Sequence, residues 1–475
     1  MKILQHYVAG RWVAPVEPGA TFAVINPADE AQVAEIRMGS AADVDLAVAA
    51  AARAFPAWSM TPLADRLEAL RRFKAVFVRR FEEMADAITT EMGAPRDMSR
   101  EAQAACGPDH IEATIVAAQH LDWETRLNGS NVVREPVGVC GLVTPWNWPI
   151  NQIVAKVAPA LAAGCTMVLK PSEQAPLSAQ LTAEFIDEAG LPSGVFNMVH
   201  GTGPAVGHAL SAHPDIEMMS FTGSTRAGID VAKTAADTVK RVAQELGGKS
   251  PNLIFADADL ERALANSVRR CFYNTGQSCN APTRMLVEAS VYDEAVAIVK
   301  RLAEATQVGD PRKGGRHIGP LASRIQFERV QAYMQIGIDE GARLVTGGPG
   351  RPVGFERGFF VKPTVFADVN NQMRIAREEI FGPVVCALRW SSEAEAVAMA
   401  NDSDYGLTAS IFTHDLEVAL RMMRAIQAGT IWINTAGQHF VGTPFGGWKD
   451  SGVGGEECLE ELLSYSQIKA VHALP

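Results

Sequence analysis

Cysteine is sparse in this chain, and none of it is paired. Its seven cysteines, Cys106, Cys140, Cys165, Cys271, Cys279, Cys386 and Cys458, are odd in number, widely spread and never arranged as CxxC. That spacing excludes a disulfide framework and a zinc site, and it fits a reducing, cytoplasmic setting. No His/Cys ligand cluster is visible, so no metal is expected. Basic charge is also scarce. The net charge of −11 argues against nucleic acid as a partner, because phosphate binding needs clustered Lys and Arg. No apolar run is long and unbroken. The longest, Ile153 to Leu169, carries Lys156, Pro159 and Gly164, so it reads as a buried helix followed by a strand, not a membrane span. The N-terminus meets Arg11 before any sustained apolar stretch, which leaves no secretory signal. Repeats and low-complexity segments are absent. What remains is an ordinary soluble composition, 47% hydrophobic and 20% charged, over 475 residues. That length accommodates two or three domains.

Residues 40–92 carry helical spacing. From Val137 onward, short apolar runs alternate with helices. Strands are expected at Val137–Val143, Thr166–Leu169, Val195–Val199, Glu217–Phe221 and Val239–Ala243, with helices at Asn151–Ala163, Ser178–Ala189, Pro204–Ser211 and Ser224–Ala236 between them. Such alternation predicts an α/β fold with a parallel sheet, covered on both faces, that binds ligands at the carboxyl ends of its strands. A second alternating block starts at Asn252. The boundary falls near Gly247-Gly248, directly after Glu245, so that carboxylate would sit at a seam where clefts form.

The chemistry-bearing stretches are few. Gly276-Gln277-Ser278-Cys279 follows Glu245-Leu246-Gly247-Gly248-Lys249 by about 30 residues, a gap that folding closes easily. A thiol and a carboxylate among glycines suggest a nucleophile and a general base. The free thiol pKa of about 8.5 already leaves a few per cent as thiolate. The bland alternative for Cys279 is a buried small hydrophobe. Thr144-Pro145-Trp146-Asn147-Trp148-Pro149 is a stiff loop whose Asn147 amide can donate to an oxyanion, or can simply make a turn. Lys170-Pro171-Ser172-Glu173 ends a strand, where Lys and Glu can bind ribose hydroxyls or form a solvated turn. The turns at Gly201–Gly207 and Phe221–Gly228 suit a pyrophosphate, although the first reads GxGxxxG, not GxGxxG. Glu379 and Phe381 could grip a ribose and back a flat ring, or could be a strand entry with a surface Glu.

Taken together, TPWNWP, KPSE, FTGS, ELGGKSPN, GQSCNAPTR, EEIFGPV and PFGGWKDSG resemble, in order and spacing, the NAD(P)-dependent aldehyde dehydrogenase superfamily over essentially the whole chain. The resemblance implies a Rossmann-like cofactor domain (1–118 and 137–246), an α/β catalytic domain (247–446) and a bridging β element (119–136 and 447–475). The bridging strands would lie near Thr125–Val133 and Leu462–Val471 and would build a homodimer or homotetramer. By resemblance, Cys279 is the nucleophile and Glu245 the base. Asn147 and the backbone N–H of Cys279 hold the oxyanion. Lys170 and Glu456 complete the catalytic set, and Lys249 helps orient the site. Lys170 and Glu173 hold the adenosine ribose, Ser224 the pyrophosphate and Glu379 the nicotinamide ribose, with Phe381 beside it. Thr144, Pro145, Trp146, Ser172, Gly203, Phe221, Gly223, Leu246 and Gly247 complete the cofactor set. The cofactor is NAD, with NADP as an alternative. Two departures stand near the C-terminal support of the site: Gly455 where many members carry Arg, and Trp448 where Tyr is usual.

The implied reaction is oxidation of an aldehyde to a carboxylic acid through a thiohemiacetal and a thioester on Cys279. Its rivals are CoA-acylating chemistry, a non-redox cysteine hydrolase and a non-enzymatic protein on the same scaffold. The aldehyde tunnel is expected to be lined by Trp148, Asn151, Gln152, Tyr273, Ser278, Asn280, His439, Phe440 and Phe445. None of these is acidic, which points to an aliphatic or oxo-acid aldehyde over an amino-aldehyde.

Overall fold

The structure, a computed structural model, describes residues 2–17, 19–437 and 441–472. Two large sheets organise it. In the first, five parallel strands run in the order Arg241–Glu245, Met218–Thr222, Val139–Val143, Thr166–Lys170, Phe196–Met198. From Val139–Val143 the chain winds outward through two strands, then returns to build on the other side. The topological switch therefore lies between Val139–Val143 and Met218–Thr222, where a doubly wound sheet opens a ligand crevice. The carboxyl ends of four of these strands run directly into Thr144-Pro145-Trp146-Asn147, Pro171-Ser172-Glu173, Gly223-Ser224 and Leu246-Gly247-Gly248.

The second sheet has seven strands in the order Arg343–Thr346, Thr364–Ala367, Val384–Trp390, Arg284–Glu288, Pro251–Ile254, Thr408–Phe412, Thr430–Ile433, all parallel except the first pair. Its polarity toward the seam is reversed. The segments Gly247–Ser250, Cys279–Thr283 and Glu379–Pro383 each lead into the amino end of one of its strands. Carboxyl ends of one sheet thus face amino ends of the other, and the sequence motifs fill the gap.

The helix Pro149–Ala163 packs behind the first sheet with all 15 residues buried. A helix that is apolar all round belongs in a core. Pro149 starts it, where the missing N–H costs nothing, and Gly164 ends it at φ +93°. The broken apolar run of the sequence is this helix and the strand after it. Among the described residues no helix is long and apolar enough to cross a membrane.

Several elements differ from expectation. The bridging strands near Thr125–Val133 overrun both bounds: Glu124–Leu127 and Ser130–Pro136 form a hairpin, and Asn128 (φ +49°) and Gly129 (φ +84°) between them are turn, not strand. Asn-Gly supplies the two positive φ values that a tight hairpin requires. Leu462 and its neighbours are not strand either. Leu459–Ser464 is a helix that buries Glu461 and Leu462, and only Ser466–Val471 joins the three-stranded sheet. Within 447–475, Gly452–Val453 instead extends the first sheet, antiparallel to Gln244–Glu245. The N-terminal strands were not anticipated. His6–Val8 and Arg11–Val13 extend the first sheet, while Lys2–Leu4, Thr21–Ile25 and Gln32–Arg37 form a sheet of their own.

Candidate active site

The glycines of the motifs are where the motifs touch. A Cβ on Gly248 would lie 2.3 Å from the carbonyl oxygen of Cys279, and one on Gly247 would lie 2.9 Å from Glu379 Oε2. At Gly276, which has φ +74°, a Cβ would stand 2.2 Å from the Gly382 carbonyl. Only glycine permits these approaches. Three segments far apart in sequence are therefore held in backbone contact, and Gly248 N–H donates to Glu379 Oε1 at 2.9 Å.

The Cys279 loop is built on unusual backbone. Asn274 and Thr275 both adopt left-handed conformations, at φ +53° and +56°. For β-branched Thr275 this is a true outlier, and it survives only if its surroundings over-determine it. They do so with an amide network. Asn274 Nδ2 donates to the backbone carbonyls of Asn147 (2.9 Å) and Gln277 (3.1 Å). Asn147 Nδ2 also donates to the Gln277 carbonyl at 3.1 Å. Gln103 Nε2 reaches the Asn147 carbonyl at 3.0 Å, Ala322 N–H donates to Gln277 Oε1 at 2.9 Å, and Thr275 Oγ1 donates to the Gly319 carbonyl at 3.1 Å. The network fixes the Asn147 amide beside the nucleophile loop, with one N–H of its amide used on Gln277.

Glu245 ends its strand buried at 2% exposure, and neither carboxylate oxygen has a hydrogen-bond partner among the described residues. Around it lie three more buried carboxylates, Glu456, Glu457 and Glu461, with the fully buried Lys156 paired to Glu456. Burial first, and the charge of Glu456 next, push the Glu245 carboxyl well above the usual carboxylate range, while Lys156 opposes them. The Cys279 thiol is also raised, by burial and then by Glu245, Glu379 and Glu456. Glu456 is held in place by Phe445, whose backbone N–H donates to the Glu456 carbonyl at 3.1 Å.

A cavity of about 400 Å³ opens onto Cys279. Trp148, Asn151, Gln152, Tyr273, Ser278, Asn280 and Phe445 all line it. His439 and Phe440 lie outside the described residues. Trp148 Nε1 donates to Ser278 Oγ at 2.9 Å, and Asn151 is anchored between His110 Nε2 (2.8 Å) and Glu457 Oε1 (3.5 Å). Sequence reasoning missed other wall residues. Glu101, Asp109 and Glu457 make this wall acidic in part, against the expectation of a tunnel without carboxylates, and Arg270 adds one cation. Glu101, Cys106 and Asp109 come from helical turns 35 to 43 residues before the first motif, which no motif spacing signals.

The assigned cofactor residues gather at the crevice. Lys170 Nζ lies 3.3 Å from Glu173, and burial lowers the lysine's pKa. Ser172 Oγ accepts from Gln174 N–H at 3.2 Å. Ser224 caps the helix Thr225–Ala236, whose free N–H groups suit a phosphate. The ring of Phe221 packs under Gly223, whose added Cβ would meet it at 2.6 Å, and Leu246 packs against Gly228 in the same way, at 2.5 Å. Trp146 and Phe381 meet edge-to-face at 5.6 Å, which joins the first loop to EEIFGPV. Arg329 and Gln326, unforeseen, donate to the carbonyls of Glu379 (2.6 Å) and Phe381 (2.7 Å). Two observations fit a dinucleotide here. Among the described residues, the Thr144 hydroxyl is buried without a partner, and an added Cβ at Gly203 would meet nothing within 4 Å, so the turn lies open. Lys249 is buried with its Nζ unpartnered among the described residues, and burial lowers its pKa.

Residues 12–471 match the Aldehyde dehydrogenase family. The chain belongs to that family. It is 51% identical over 469 residues to a 3-succinoylsemialdehyde-pyridine dehydrogenase of a Pseudomonas species, covering 98% of each chain. Its structure is similar to that of an aldehyde dehydrogenase from Bartonella henselae, with TM-score 0.98, 49% identity and full coverage of both chains. It is also similar to a cysteine-to-alanine mutant of aldehyde dehydrogenase C from Pseudomonas syringae, solved with NAD+ and octanal. There the TM-score is 0.97 and the identity 48%, over 99% of this chain and 97% of the other. Membership makes the chain an oxidoreductase with the aldehyde dehydrogenase fold.

Proposed function

We propose that this protein oxidises an aliphatic or oxo-substituted aldehyde to its carboxylic acid with NAD+, through a thioester on Cys279. The observation that carries the reading is the Glu245 carboxylate, buried and unpartnered on the seam where Gly248 meets the carbonyl of Cys279. A group so placed is a base kept free for a proton. Cys279 Sγ, its proton lost to solvent, attacks the aldehyde carbon as the thiolate. The Asn147 amide and the Cys279 N–H stabilise the alkoxide that forms. Bound NAD+ would accept the hydride whose loss from this alkoxide leaves the thioester. Glu173, Lys170, Ser224 and Glu379 would hold that cofactor, with Phe381 and Trp146 beside it. Glu245 then takes a proton from water as its oxygen attacks the thioester. The C–S bond breaks, the acid leaves and the thiolate returns. The substrate class is supported by the relative named for a semialdehyde and by the neighbour crystallised with octanal. CoA-acylating chemistry finds less support, because a free buried base serves water and is superfluous for a thiol acceptor.

Assembly as a homodimer or homotetramer is part of the same reading. The edge strands Glu124–Leu127 and Ser466–Val471 expose Leu127, Ile468 and Val471, and an exposed apolar sheet edge invites pairing with a second copy. The seven free thiols fit a reducing compartment.

The test is NADH production from aldehydes by wild type and Cys279→Ala. The variant should lose turnover by at least about 10³-fold and still bind NAD+. Substantial residual activity in Cys279→Ala would refute the assignment.

A further inference from the structure

The cavity beside Cys279 holds one unmatched donor. Arg270 lies near the end of the helix Leu260–Phe272, and its Nε is buried with no acceptor among the described residues. Its guanidinium sits 5.6 Å from the centre of the Tyr273 ring, and Tyr273 in turn leans on Trp148 at 6.0 Å. Gly437 packs on the arginine's stem, where an added Cβ would stand 3.4 Å from Cδ. The guanidinium is thus laid on an aromatic wall of the aldehyde cavity, backed by chain on one side. A planar, permanently charged donor held this way is preorganised for an acceptor in the cavity.

The rest of the charge in that cavity narrows the acceptor. Glu101, Asp109 and Glu457 also line it. Three carboxylates disfavour an anionic tail, and Arg270 itself disfavours an ammonium. Purely alkyl tails leave the buried donor unmet, which is costly in a site built to hydrogen-bond. We propose that Arg270 is a specificity-determining residue that selects aldehydes carrying a neutral hydrogen-bond acceptor away from the reacting end, a keto oxygen or a ring nitrogen. The proposal rests on the aldehyde-oxidation reading above and narrows its substrate class.

The test is a series of aldehydes of equal length differing only in the far group: alkyl, keto, carboxylate and amine. Wild type should favour the keto-aldehyde by about tenfold or more in kcat/KM, the scale of one charge-assisted hydrogen bond. In Arg270→Met the keto-over-alkyl ratio should collapse to about threefold or less, chiefly through KM. Arg270→Lys, which keeps the charge and loses the planar fork, should fall between. If Arg270→Met does not fold, the wild-type ranking alone decides. A wild type that prefers the carboxylate, amine or alkyl tail overturns the role of Arg270 while leaving the reaction intact, as does an unchanged ratio in Arg270→Met. Absence of NADH from every aldehyde overturns the reaction itself, and the role of Arg270 with it.

Discussion

The two sides of the Cys279 cleft are built from opposite materials. On one side Asn147, Asn274, Gln277 and Gln103 form a neutral amide network in which backbone carbonyls are met by side-chain N–H groups. On the other, Glu245, Glu456, Glu457 and Glu461 lie around the buried Lys156, and both oxygens of Glu245 are unmet among the described residues. Satisfied amides fix geometry and do not titrate. A buried carboxylate without such partners, as Glu245 is among the described residues, is poorly fixed by hydrogen bonds but holds its proton weakly or strongly according to its neighbours. On the proposed reaction, one wall positions atoms and the other moves protons. Variants on the two walls should differ in kind as well as in size.

The largest effect after loss of the nucleophile belongs to the acid wall. Glu245→Gln keeps shape and removes the base, so steady turnover should fall by about 10²–10⁴-fold. Acylation by one equivalent should still occur and be visible as a mass adduct on Cys279, because deacylation is the step left without a base. Full steady-state activity in this variant would erase the distinction between the walls. On the amide wall, Asn147→Ala should lower kcat by about 10²–10³-fold, the scale of one oxyanion donor. Its pH profile should keep its shape, since no titrating group has gone. A displaced profile would mean that the amide wall also sets proton affinities.

Much of this cleft was legible before any coordinates. Glycine-rich segments marked the contact points, because Gly247, Gly248 and Gly276 face other backbone or a carboxylate too closely for any Cβ. Strand–helix alternation gave the first sheet, and the helix expected at Ser224–Ala236 runs from Thr225 to Ala236 with Ser224 as its cap. The Asn128-Gly129 turn falls inside the bridging strands expected near Thr125–Val133; two positive φ values in succession are the usual meaning of that pair. Other features carry no local signal. Gln103 reaches a carbonyl 44 residues away, a tertiary contact that nothing near it in sequence announces. Thr275 is left-handed against its own preference, so sequence argues for the wrong backbone there. Arg269 and Arg270 are neighbours on one helix, and sequence alone did not single out which of the two reaches the wall beside Cys279. The acidic part of that wall likewise comes from Glu101, Asp109 and Glu457, brought to Cys279 from segments whose spacing shows no relation to it.

The finest test of the contrast is Glu456→Gln, on the acid wall but one step from the base. The Glu245 carboxyl is raised by burial first and by the Glu456 charge second, with Lys156 pulling the other way. As a base, Glu245 works only when deprotonated, so the acid limb of kcat should lie above the ordinary carboxylate range. Removing the Glu456 charge takes away a like-charge repulsion. It also frees the Lys156 charge from its partner, so that it acts more fully on Glu245 and Glu461. Both changes favour the deprotonated base, so the limb should move to lower pH and activity on the acid side should rise relative to the plateau. Cys279 feels Glu456 as well, and the pH at which iodoacetamide alkylates it should shift down in the same variant. A purely structural Glu456 would lower the rate at every pH without moving either profile. If both limbs stay where wild type has them, the acid wall positions atoms just as the amide wall does, and the division between them does not hold.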